Sequence, residues 1–254
     1  MTLHIRFTAR RVALILGTLA TYLALHSIIG KRIEYAVGTN NTYAIYHIVQ
    51  LFNVNREGNI PTWFSSSILL FAALLFAVIA YAVRQRGGTL QARWWGLAAI
   101  LLYLSIDEAA AIHEKLTVPL QDSLHVTGYL YFAWVLVGIP LALIVTLTYL
   151  RFVWHLPAHI RRLFFLAGAV YLGGALGVEI ISANQWYLND GTSLIFSTIG
   201  TVEEWMEMMG VVIIIYALLR YIGETVGEVR VAVVEPQRQP ATQEVPPSAV
   251  ADAP

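Results

Sequence analysis

Residues 66–83 read SSILLFAALLFAVIAYAV, eighteen residues without a charge, followed at once by Arg84 and Arg86. At the rise of an α-helix this run covers about 27 Å, close to the hydrocarbon thickness of a bilayer. Working outward, comparable runs recur at 12–30, 94–112, 128–150, 163–182 and 203–222, separated by short polar interruptions. The expected fold is therefore all-α: a polytopic membrane helix bundle of six transmembrane helices over residues 1–222, followed by a tail at 223–254. Arg6, Arg10 and Arg11 precede the first run as in a signal peptide. The run is too long for a signal h-region and lacks a small-x-small cleavage site, so it is read as a retained first span.

Composition agrees with this class. Of 254 residues, 57% are hydrophobic and only 13% charged, about half the charge of an ordinary soluble domain, and mean hydropathy is +0.63. Cysteine is absent, which excludes disulfides, zinc ribbons, iron–sulfur clusters and thiol nucleophiles. Sixteen basic and sixteen acidic residues cancel. A neutral chain of this kind is no nucleic-acid binder.

The distribution of cations sets an expected orientation. With the N-terminus inside, Arg6, Arg10, Arg11, Arg84, Arg86, Arg93, Arg151, Arg161, Arg162 and Arg220 all fall at inner ends. Only Lys31, Arg32, Arg56 and Lys115 fall outside, as the positive-inside rule requires. Both termini are then cytoplasmic, in a bacterial cell (inner) membrane. The inner side, tail included, carries +7 and the outer half −7, so neutrality is a cancellation across the membrane. The tail, rich in Pro, Gln and Ala, has too little apolar surface to offset its ordering entropy and is expected to be largely disordered.

The outer loop between the first two runs holds one more expected helix. Over 42–53, helical spacing gathers Tyr43, Tyr46, His47, Gln50 and Asn53 on one side and Ala44, Ile45, Ile48, Val49, Leu51 and Phe52 on the other. Such an amphipathic segment lies flat on the outer membrane surface. After it, Asn53, Asn55, Glu57 and Gly58 copy the first half of a calcium loop, but Phe64 stands where the bidentate Glu belongs. A polar turn is the plainer account.

Ionisable groups inside the runs are costly, about 2.5–3.5 kcal/mol for an Asp at mid-span, and each needs a reason. Asp107, Glu108, His113 and Glu114 end the third run, Glu179 ends the fifth, and Glu203, Glu204 and Glu207 begin the sixth. Under the expected topology all eight share the outer half of the bilayer, with His26 at the same level. On one continuous helix Asp107 and Glu114 would share a stripe, and His113 would point about 120° away. If the sixth helix begins at Glu203, Thr201 and Glu204 form a capping box and the first two glutamates sit at the headgroups. His26, His47 and His125 read as interfacial hydrogen bonders, and His155 and His159 as part of a solvated basic face. The glycines at 173, 174, 177, 200 and 210 read as helix-packing surfaces.

Clustered carboxylates with a histidine suit Fe, Mn or Zn. The leading expectation is a metal-dependent membrane enzyme acting on a lipid-like or apolar small molecule. In it Asp107, His113, Glu114, Glu179, Glu203 and Glu207 supply metal ligands, and Glu108 or Glu204 acts as acid/base. Two alternatives use the same acids: a proton- or cation-coupled small-solute transporter, and a non-catalytic subunit whose acidic layer meets a membrane-protein partner or a second copy.

At NIPTWFSS, SIDEAAAIHE and EEWMEMMG the chain resembles a group of uncharacterised bacterial multipass membrane proteins. It also partly resembles the alkaline-ceramidase and adiponectin-receptor type of membrane hydrolase. That resemblance implies zinc chemistry around Ser105, Asp107 and His113; the second His-rich motif of those enzymes has no counterpart here.

Overall fold

The computed structural model describes residues 8–37, 43–191 and 193–227. The expected disorder of the tail falls on 228–254, outside the described residues. Every regular element among the described residues is helical. They are α1 (Ala9–Val37), α2 (Tyr43–Leu51), α3 (Ile60–Gln85), α4 (Gln91–Ala110), α5 (Glu114–Leu124), α6 (Val135–Trp154), α7 (Ala158–Leu172), α8 (Glu179–Asn189) and α9 (Leu194–Tyr221). Among them α1, α3, α6, the run from α7 through α8, and α9 are long and apolar enough to cross a membrane. The pair α4 and α5, bent by 79°, makes a sixth if taken as one broken span.

Local chemistry sets the ends. Asn59 caps α3 by accepting from the Thr62 N–H at 3.1 Å, with Pro61 in the first turn where no intrahelical donor is needed. Ser193 caps α9 in the same way through the Phe196 N–H at 3.0 Å. This corrects the expected start of the last helix. Glu203 lies nine residues inside α9, Thr201 gives its hydroxyl to the Ser197 carbonyl at 2.8 Å, and the pair forms no capping box. The fourth run is also shorter than expected, since 128–130 is a single 3₁₀ turn and α6 begins at Val135.

Helix α9 is the axis of the bundle. Helices α1 and α7 pack along it on two sides, α3 along a third, and α4 packs chiefly on α3. The closest approaches are made at glycines, as small-residue helix packing predicts. A Cβ on Gly210 would lie within 2.9 Å of the Tyr171 backbone, and one on Gly174 would lie 2.8 Å from the Glu203 carbonyl oxygen. By contrast Gly177 meets nothing within 4 Å, and Gly200 faces the Asn55 amide.

One end of the bundle gathers the arginines around an aromatic core. Trp94, 1% exposed, stacks at 5.0 Å from both Phe152 and Tyr221. Beside it Arg86 donates to the Thr225 and Val226 carbonyls, and His159 pairs with Glu224 at 2.6 Å.

The opposite end is closed by the loop after α2. There Ser27 accepts from the Val54 N–H, and Gln50 reaches Glu34 at 3.3 Å. The Asn55 amide donates to the Ser197 carbonyl at 3.0 Å and reaches the Thr201 hydroxyl at 3.3 Å. Val49 is buried against Gly30 while Ile48 and Leu51 remain exposed. The half-loop that copies a calcium site in sequence thus spends Asn53 and Asn55 on its own turn and on α9.

Candidate functional site

The acidic end is built around a break in the third run. Helix α4 stops because Ala111 takes a left-handed conformation (φ 52°), and the chain turns through Ala111–His113 into α5. The expected stripe of Asp107 and Glu114 on one helix is therefore not formed. The break instead folds His113 back onto Asp107. The His113 N–H donates to Oδ1 at 2.9 Å, and its Nδ1 lies 2.7 Å from Oδ2. Asp107 is 8% exposed, so water competes weakly for either bond. Lys115 turns its ammonium to the Ala110 carbonyl at 2.5 Å, capping the end of α4.

From this dyad a chain of contacts runs across the bundle. The His113 ring packs on Trp134 at 4.6 Å between centroids, and Trp134 donates its indole N–H to Glu179 at 2.7 Å. Glu179 opens α8 directly after a π-helical segment, Gly173–Val178. Insertions of this type are frequent at functional sites. Glu203 on α9 lies in the electrostatic field of Glu179. One turn along α9, Glu207 lies near Tyr171, which the close approach at Gly210 holds against α9. Glu108 lies near Ser65, and Glu204 lies in the field of Glu108, Glu207, Glu179 and Glu114.

The seven acids and the histidine singled out in the sequence thus belong to one electrostatic network. The strongest partners of its members are other acids, His113, and hydroxyls; no Lys or Arg is among them.

Three further members carry no such mark in the sequence. Glu57, in the turn before α3, faces Glu114, Glu108, His113 and Asp107. Partial burial, then the Glu114 and Glu108 charges, push its carboxyl up from 4.5 to about 7. Its acidic character is visible in the sequence, but its neighbours are set by the tertiary path of the loop. Tyr171 and Trp134 look like ordinary apolar lining. Their one signal is a phenol and an indole, both of which seek a partner when buried.

Other expected participants stay apart. Ser105 exchanges hydrogen bonds with Ser66 between α4 and α3, at 2.8 Å in each direction. The ring of His26 packs on Phe52 at 4.3 Å, and its buried Nδ1 has no hydrogen-bond partner.

The donor set is of the kind that Fe, Mn or Zn accepts, but its arrangement is dispersed. His113 is bonded to Asp107, and Glu179 to Trp134. Among the described residues no three His, Asp or Glu side chains converge as a metal site.

Fold and site together define an all-helical protein with five or six membrane-length apolar helices and a network of acids at one end. The chain belongs to the family described as Domain of unknown function (DUF8692), whose model matches residues 12–221. No curated protein and no solved structure matches it.

Proposed function

We propose that the chain is a multi-pass protein of a bacterial inner membrane, with both termini cytoplasmic, that couples proton or cation movement to a small solute. The observation that carries this reading is the line of contacts from Asp107 through His113 (2.7 Å) and Trp134 (4.6 Å between ring centroids) to Glu179 (2.7 Å), set among acids whose strongest partners include no Lys or Arg. Acids placed in apolar runs without a Lys or Arg partner are the groups that pumps and transporters protonate in turn. Supporting it, Glu203, Glu204 and Glu207 of α9 all lie in the field of Glu179, the last group of that line. Glu57 stands beside this line in the outer loop, as the group through which protons reach it from the medium.

The test uses proteoliposomes loaded with a pH-sensitive dye and challenged with amino acids, sugars, amines and monovalent salts. Wild-type protein is expected to give a solute-dependent pH change in the lumen, abolished by Glu203→Gln and by Asp107→Asn. No response beyond empty liposomes to any solute overturns the reading. So does stoichiometric Fe, Mn or Zn in the purified protein, which would restore the metal-dependent enzyme acting on an apolar substrate.

A further inference from the structure

At the arginine end, α1 and α7 flank α9 without packing extensively on one another. All three are drawn together nearer the middle of the bundle. Gly17 of α1 sits over Met209 and Val212, and Gly210 of α9 sits on the Tyr171 backbone. Beyond these contacts α1 and α7 leave a wedge between them. A groove of about 270 Å³ fills it, lined by Leu14 on α1, Leu166 on α7, and Met209, Val212 and Tyr216 on α9, with Arg10 at its end.

The lining is otherwise apolar and contains no carboxylate. Arg10 is exposed and, among the described residues, its guanidinium makes no ion pair or hydrogen bond. Arg220, one turn beyond Tyr216, is by contrast held by Glu224 at 2.6 Å. The groove follows α9 from Met209 to Tyr216, about 10 Å of helix axis, and opens sideways where lipid tails run.

We propose that this groove holds an acyl chain of an anionic phospholipid, with the lipid phosphate on Arg10. The apolar walls match a hydrocarbon chain lying along the helices. A guanidinium with no partner among the described residues, at the end where the bundle's arginines gather, matches a phosphate at headgroup depth. Because the tails of neighbouring lipids are equally apolar, the discrimination comes from headgroup charge. The inference is independent of the transport reading, since none of the acids at the other end takes part.

The experiment titrates detergent-purified full-length protein with dioleoylphosphatidylglycerol or dioleoylphosphatidylcholine, which share their tails, and counts bound lipids by native mass spectrometry. The anionic lipid is expected to bind on the order of fivefold more tightly, the worth of one basic residue at a membrane surface. Arg10→Gln is expected to abolish that preference. Arg84→Gln, at the same end but outside the groove, is expected to keep it, and Leu166→Trp, which fills the groove, is expected to weaken retention of the anionic lipid. Equal binding of the two lipids overturns the proposal, as does a preference that survives Arg10→Gln or falls equally with Arg84→Gln.

Discussion

Replacing Asp107 by Ala removes the group that holds the α4–α5 break in place. Two bonds are lost, one from the His113 backbone N–H at 2.9 Å and one with its Nδ1 at 2.7 Å. Hydrogen bonds to a charged group contribute about 1.5–3 kcal/mol each, and Asp107 is 8% exposed, so water replaces neither well. The loss is therefore about 3 kcal/mol or more. His113→Ala removes only the ring contact, because its backbone N–H remains to bond Oδ1. A double-mutant cycle between the two positions isolates the side-chain pair, with an expected coupling of about 1.5–3 kcal/mol. The assay is reversible unfolding in mixed detergent–SDS micelles, followed by tryptophan fluorescence, to which Trp134 against His113 contributes. Asp107→Asn keeps an oxygen for the backbone donor and is expected to fall between wild type and Asp107→Ala. A coupling below about 0.5 kcal/mol, within the additivity of independent sites, would refute the dyad.

Two further consequences test the packing and the loop. Gly210→Val places side-chain atoms against the Tyr171 N and Cα, which lie 2.8 and 2.9 Å from a Cβ there and cannot rotate away. The expected destabilisation is about 1–3 kcal/mol. Gly168→Ala on the neighbouring helix meets nothing within 4 Å and should be neutral or stabilising by about 0.5–1 kcal/mol; equal effects of the two in the same unfolding assay contradict the packing. At Glu57 the folded chain holds more protons than the unfolded one between about pH 4.5 and 7, so stability falls as pH rises through that window. Because the group still reaches solvent, the fall is expected to stay under about 1 kcal/mol. Glu57→Gln should flatten it, and an unchanged pH profile of stability would show that the carboxyl is not held up by its neighbours.

Much of the architecture is legible in the sequence because its causes are local. An uncharged run such as 66–83 declares a membrane-length helix by its own transfer free energy, whatever its neighbours are. The insertion cost of Asp107, Glu179 and Glu207 likewise marks them, from their place in apolar runs alone, as residues needing an explanation. Helix ends are less legible. Thr201 and Glu204 match a capping pattern, yet Ser193 starts the helix earlier, and once it continues Thr201 bonds back to Ser197. Local patterns of equal merit compete, and packing of the extra turns under Asn55 selects between them.

The break at Ala111 has no signature in the sequence, since alanine is the best helix former and left-handed alanine costs about 1–2 kcal/mol. The bonds from Asp107 to His113 offset that cost, and they exist only after the chain has turned. Residue order alone was enough for the all-helical class, the recurrence of membrane-length apolar runs, and the acids that gather at one end of the bundle. The pairing of those acids came with the packed bundle. Trp134 meets Glu179; Glu203 and Glu207 come into the field of that acid, and Glu57 faces the third run, all between residues far apart in the chain. Hydropathy and charge are sums over neighbours in sequence; a hydrogen bond depends on the separation of two atoms, which helix packing alone sets.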